Sequence, residues 1–293
     1  MDAPPSASVQ WPVSAQRVES GNEMTTIDSG RPVTSRKATL HVEVRGAGDP
    51  VVLVPGAGGD ADQYGALAER LEARHTVVMY DRRNNGRNPR LADWTATSVE
   101  QQADDLLNLL DGLGLERVAV YGNSTGALVA LAAAMSEPSR FSAVVLHEPA
   151  LLGVLQNPGS AVATVQPVIA AGMEAGGPPG GAEAFLRFAA GNAAGDLPAP
   201  FVLRLRQNAD VLLEAEFGSF ASWRPEPTAV HALHGMLSVL TAEETAPFFA
   251  EAADWLATRG GVTRRTVPGG HMGFLDHPAA IADAIEEAER APH

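Results

Sequence analysis

The feature that most constrains this chain is a rhythm. Short apolar runs alternate with stretches whose apolar residues recur at helical spacing, from Ala38 onward. "ATLHVEV" alternates and reads as a strand, and "PVVLVPG" is a continuous apolar run of the kind a sheet covered on both faces requires. Asp62 to Glu72 places Tyr64, Leu67, Ala68 and Leu71 on one helical stripe, after which "TVVMYDRR" is a strand again. The next helix begins with Ser98 as its N-cap and Gln101 three residues on, buries Ala103, Leu106, Leu107 and Leu110, and ends at glycine. "RVAVYG" is then a strand, "ALVALAAAM" a helix and "AVVLHEP" a strand. This spacing predicts βαβ units: an α/β fold with a mostly parallel central sheet, right-handed crossovers and helices on both faces.

Two segments break the rhythm. Residues 1–35 are rich in Pro, Ser and Thr and are expected to form a loose N-terminal extension. Residues 150–225 contain no convincing strand. They read as a helical cap inserted over one edge of the sheet: "AVATVQPVIAA" and "AEAFLRFAAG" as short helices, "GMEAGGPPGGAEAF" as loop, and a longer helix over about Pro200 to Phe217. The core is therefore expected over residues 36–149 and 226–293. It resumes with the strand "MLSVLT", a helix from about Pro247 to Ala257, the strand "VTRRTVPGG" and a closing helix from Pro278.

Composition narrows the partners. A formal charge of −14 argues against nucleic acid and anionic membrane surfaces, which need basic patches. With no cysteine there is no thiol catalysis and no disulfide. No segment is long and apolar enough to span a bilayer, and "MDAPPSASVQWPVSAQ" lacks the basic start and apolar stretch of a secretory signal. The expectation is a soluble cytoplasmic protein, monomer or homodimer, acting on a small molecule.

Within the rhythm, Gly122-Asn123-Ser124-Thr125-Gly126 fits G-x-S-x-G. The motif is informative only between a strand and a helix, and here it has both. A sharp turn at that point projects the Ser124 hydroxyl above the strand end, and side chains at Gly122 or Gly126 would collide with the neighbouring strand and helix. Serine needs a base. Of the eight histidines, His41 lies inside a strand, His75 precedes one and His293 is terminal. His231 and His234 lie on a helix with no third metal ligand in view. His147 ends a strand, where a satisfied polar role is the ordinary one. His271, in "VPGGHMGFLDHP" between the last strand and the last helix, is the expected base; His277 begins the closing helix.

With these residues in place, the chain over about 38–290 resembles the α/β-hydrolase superfamily, in particular the lidded, cofactor-free serine hydrolases. "VPGAGGDA", "YDRR", "YGNSTGA", "HEP" and "PGGHMGFLDHP" follow in the family's order. The resemblance implies no cofactor and no metal, and an oxyanion hole made by the backbone N–H groups of Ala57 and Thr125. It implies a triad acid after the seventh strand, a slot that falls on Glu244 if "MLSVLT" is that strand; Glu148 in "HEP" is the alternative. Relatives commonly carry glycine at Asn84, and serine or glycine at Thr125. Arg82, Arg83, Arg87 and Arg90 read as a solvated loop, or else as a clamp for a substrate carboxylate. The implied activity is hydrolysis of a carboxylic ester of a small to medium hydrophobic substrate. The alternatives are C–C, lactone or thioester hydrolysis or acyl transfer with the same triad, and a non-hydrolytic ligand-binding regulator on the same fold.

Overall fold

Valine-rich runs form the strands of a seven-stranded sheet: β1 (Val42–Arg45), β2 (Asp49–Val54), β3 (His75–Tyr80), β4 (Val118–Asn123), β5 (Phe141–His147), β6 (Leu237–Ala242) and β7 (Arg265–Val267). Their order is β7-β6-β5-β4-β2-β3-β1. Only β1 runs antiparallel to its neighbour; every other pairing is parallel. This computed structural model describes residues 15–20, 23–28, 33–34 and 39–291. The extension expected over residues 1–35 falls largely outside them, as does His293; within it, Ala15–Ser20 and Glu23–Asp28 pair as antiparallel strands.

Alternate residues of the strands feed two separate cores, as a period-2 backbone requires. Val52, Val54, Val78, Val118 and Val120 pack with one helical layer, which includes α2 (Val99–Leu113), α3 (Thr125–Ser136) and, further along the chain, α8 (Pro247–Gly260). Val51, Leu53, Val77, Met79 and Tyr121 pack with the other, formed by α1 (Gly65–Leu71) and the closing α10 (Pro278–Arg290). The predicted cap of α2 is present: Ser98 Oγ accepts from Gln101 N at 3.2 Å, and Gly114 ends the helix in the left-handed conformation at φ 67°. The α/β-hydrolase fold expected from the sequence is the fold observed.

Residues 150–225 carry helices and no strand. They comprise α4 (Pro158–Ala190), α5 (Ala199–Gln207), a π-helical turn at Val211–Glu216 and α6 (Phe217–Ala221). The segment expected as loop, "GMEAGGPPGGAEAF", is a correction. Only Gly176 and Gly177 leave helical geometry, so α4 is two arms of a hairpin. The arms meet so closely that a Cβ on Gly172 would stand 2.6 Å from Ala184 Cβ; the small residues that look like loop composition are the packing surface. The short helices α7 (Pro227–His231) and α9 (Gly273–Asp276) complete the core.

Register decides where chemistry can occur. Val54 lies beside Gly122, Asn123 beside His147, and His147 beside Leu240. The turns leaving β2, β4, β5 and β6 therefore open next to one another on one rim, the carboxyl rim of the parallel sheet, where α/β folds place ligands.

Candidate active site

Ser124 occupies the turn between β4 and α3 at φ 55°, ψ −123°, a region L-residues rarely adopt. The tightness of the turn is measurable. A Cβ on Gly126 would lie 2.2 Å from the Val54 carbonyl oxygen, and one on Gly122 would lie 2.5 Å from the Gly126 carbonyl oxygen. Both are backbone contacts that cannot yield, so the predicted need for glycine on either side of the serine holds. Ser124 is left 6% exposed at the start of α3, where the first amides lack intrahelical partners. Thr125 supplies one of those amides; its hydroxyl is buried without a hydrogen-bond partner.

The loop after β2 lies directly against this turn: a Cβ on Gly56 would stand 3.3 Å from Ser124 Cβ. Gly59 N donates to Gly56 O at 3.0 Å, and Gln63 Nε2 donates to the Ala57 carbonyl at 3.2 Å, which fixes the loop on both sides of Ala57. The expected pair of oxyanion donors, Ala57 and Thr125, thus belongs to two adjoining segments beside Ser124.

His271 sits in the loop between β7 and α9. Asn123, the residue before the serine, donates from Nδ2 to the His271 carbonyl at 2.9 Å, so the main chain of the histidine is anchored to the turn itself. The imidazole stacks on Phe249 of α8, with ring centroids 4.2 Å apart and planes 11° from parallel. Its Nδ1 faces Glu148 Oε2 at 3.4 Å. That contact leaves Nε2 as the nitrogen available to accept a proton.

The carboxylate on His271 is accordingly Glu148, and the preference for Glu244 is corrected. "MLSVLT" is indeed the strand β6, but Glu244 turns outward at the rim and accepts from Asn192 of the helical insertion at 2.9 Å. Glu148 follows β5, is fully buried at φ 49°, and receives the Ala242 N–H on Oε1 at 2.8 Å. Burial pushes its carboxyl pKa up, yet the hydrogen bond and charge of His271, with the Thr245 hydroxyl and the Ala242 amide, hold it below the usual value. Ser124 and Glu148 are two of only three non-glycine residues with positive φ among the described residues. Strain of this kind concentrates at functional sites. The third is Asn84, at φ 62°; asparagine is one of the few residues with a side chain that tolerate this conformation.

The remaining histidines have other roles. His147 is completely buried behind the site, its Nδ1 2.9 Å from Tyr121 Oη and its Nε2 without a partner, and burial lowers its pKa to about 4. It is a neutral ring. His231 and His234 stack on each other, and His234 Nδ1 faces the Gly260 carbonyl at 2.9 Å. His75 bonds Glu289 at 2.9 Å at the opposite, amino-terminal rim of the sheet. A cleft of about 500 Å³ opens there, lined by Asp49, Arg74, His75, Arg117, Glu286 and Arg290, among others. Arg74 and Arg290 are already paired with Glu286.

The arginine cluster is neither a solvated loop nor a free anion clamp. Arg83 pairs with buried Asp105, Arg87 with Asp81 and Glu43, and Arg90 with Asp210 of the cap. Arg82 is the most enclosed, 1% exposed, and pairs with Glu216 of the helical insertion. Sequence reading missed this because the partners are up to 134 residues apart, and no local signal joins them.

The chain belongs to the α/β-hydrolase fold family, whose model matches residues 49–261. Among similar proteins is the uncharacterized hydrolase YraK of Bacillus subtilis, 36% identical over 118 residues, which are 40% of this chain and 44% of YraK. The match thus spans less than half of YraK. Among solved structures, the 2-hydroxy-6-oxo-6-phenylhexa-2,4-dienoate hydrolase of Rhodococcus sp. strain RHA1 superposes with TM-score 0.71 at 18% identity, covering 96% of this chain and 99% of its own. A thermophilic esterase from Thermogutta terrifontis superposes with TM-score 0.65 at 23% identity, covering 93% and 97%. At these identities the superpositions establish the fold. No helix among the described residues is long and apolar enough to cross a membrane.

Proposed function

We propose that this chain is a serine hydrolase that cleaves a carboxylic ester, or a related acyl bond, of a small to medium hydrophobic substrate. The observation that carries the reading is a strained serine after β4 whose neighbour Asn123 anchors the main chain of His271 on the same sheet rim, with the Nδ1 of that histidine facing a buried carboxylate. Ser124 attacks the carbonyl carbon as His271 Nε2 takes the hydroxyl proton. Glu148 fixes the imidazole tautomer and stabilises the imidazolium that results. The N–H groups of Ala57 and Thr125 receive the developing alkoxide, an arrangement that contributes several kcal/mol because the donors are fixed beforehand. His271 then returns the proton to the leaving alcohol, and water attacks the acyl-Ser124 ester by the same route in reverse.

Apolar cap side chains favour a hydrophobic acyl or alcohol group. Phe201 and Leu205 of α5 stand over the oxyanion loop so closely that a Cβ on Gly58 would meet them at 2.9 and 2.8 Å, and the Phe249 ring flanks His271. The test is direct. A fluorophosphonate should label the intact protein once, on the peptide that carries Ser124, and Ser124→Ala should abolish both labelling and turnover of an aryl ester. Absence of any adduct on folded protein defeats the proposal.

A further inference from the structure

A guanidinium has five N–H donors in a rigid fork, and Arg82 commits them to two different layers of the molecule. Toward the core, Nε donates to Pro55 O at 2.9 Å, Nη2 to Gly56 O at 2.8 Å and Nη1 to Gln102 Oε1. Toward the cap, Nη1 and Nη2 donate to the two carboxylate oxygens of Glu216 at 2.8 and 3.0 Å. Glu216 ends the π-helical turn, is itself 1% exposed, and takes two more donors, Asn85 Nδ2 at 3.0 Å and Gln102 Nε2 at 3.2 Å. Phe220 lies 5.6 Å from the Arg82 guanidinium carbon. Two charges have been taken out of water here, an arrangement whose desolvation commonly cancels its attraction. Stability alone does not account for it; its placement does.

The Gly56 carbonyl and the Ala57 N–H belong to one planar peptide unit and point in opposite directions. Two donors hold that carbonyl, Gly59 N within the loop at 3.0 Å and the charged Arg82 Nη2 from outside it, and whatever fixes the carbonyl fixes the direction of that N–H. A charged donor on the carbonyl also polarises the unit and strengthens the N–H as a donor. We propose that Arg82 aims and polarises the Ala57 N–H through the Gly56 carbonyl, and that Glu216 of the cap holds Arg82 there, so that the oxyanion hole is complete only while the cap is seated. Both are positioning residues; neither touches the reacting atoms. The inference rests on the reading of Ser124 as nucleophile and Ala57 as oxyanion donor.

The experiment replaces the buried pair by apolar residues of similar volume, Arg82→Met with Glu216→Leu, a change that leaves no unpaired charge behind. Glu216→Gln, which keeps the shape and removes the charge, is measured beside it. Each folded variant is assayed for kcat and KM on p-nitrophenyl butyrate, and for inhibition by phenylboronic acid, whose tetrahedral adduct on serine needs the oxyanion hole. The expected result is a fall in kcat of about 10- to 100-fold, the cost of a misaimed donor, with KM changed by less than about threefold. The boronate inhibition constant should weaken by a factor similar to that in kcat. A folded variant with wild-type kcat and wild-type boronate inhibition overturns the inference. Wild-type protein that turns over no ester and takes no fluorophosphonate on Ser124 overturns the underlying reading instead, so the two failures are told apart.

Discussion

Glu148 and Glu244 stand on neighbouring loops of the same rim, and only one of them faces His271. Glu148 Oε2 is 3.4 Å from Nδ1 and fully buried, whereas Glu244 is engaged with Asn192 at the surface. Removing the orienting charge while keeping the shape leaves the imidazole free to adopt the wrong tautomer, which costs about 10³- to 10⁴-fold in kcat in a serine triad. Glu148→Gln is therefore expected to lower kcat on an aryl ester by that order, and Glu244→Gln to stay within about twofold of wild type. Steady-state kinetics on both variants decide the matter, and the reverse ranking rejects the assignment. The serine and histidine were legible in the sequence because each sits in a motif whose glycines have a local steric cause. The carboxylate that faces His271 was not, because two glutamates follow adjacent parallel strands. Which of them turns inward depends on the φ of a single residue, 49° at Glu148, and on a partner amide at Ala242 that is 94 positions away.

Among the elements, those with a clear apolar period were readable and those rich in glycine were not. The β-strands and α2 follow from valine runs, a 3.6-residue stripe and the Ser98 cap, all local signals. The second half of the cap hairpin failed because glycine serves two ends that sequence does not separate, chain reversal and close helix contact. The same ambiguity yields a test with two outcomes of opposite sign. At Gly126 any Cβ meets the Val54 carbonyl oxygen at 2.2 Å, so Gly126→Val should prevent recovery of folded protein or lower its melting temperature by well over about 10 °C. At Gly218, inside α6, a Cβ meets no atom within 4 Å and the backbone is helical. Gly218→Ala should raise stability by about 0.4–1 kcal/mol by restricting the unfolded chain. Thermal melts of the two variants test both claims. A Gly126→Val protein that melts like wild type would show that the turn is not built as described.

Across the whole molecule, two buried or half-buried histidines at opposite ends of the sheet give stability a dependence on pH in two separate windows. His147 keeps a folded-state pKa of about 4 because burial opposes its charge, against about 6.5 for an exposed ring. Below pH 6.5 the unfolded chain therefore binds a proton that the folded chain refuses, and acid favours unfolding. His75 has the opposite sign: its bond to Glu289 outweighs burial and raises its pKa. Its contribution is complete below pH 6.5 and is lost as pH rises through the raised value. Glu148, with its pKa lowered, loses its contribution only in stronger acid, beneath the usual carboxylate range. Between pH 6 and pH 5 the contribution of His147 amounts to at most about 1.4 kcal/mol per pH unit. The formal charge of −14 acts against this trend, since protonation relieves self-repulsion, so the comparison has to be made within a pair of proteins. Urea unfolding followed by tryptophan fluorescence at pH 7, 6 and 5 should show wild type losing stability more steeply than His147→Gln over the lower unit, by an amount approaching that limit. His75→Gln should match the wild-type slope there and differ from it only above pH 6.5. Parallel slopes for wild type and His147→Gln between pH 6 and 5 would mean that the ring behind Ser124 is already charged in the folded protein.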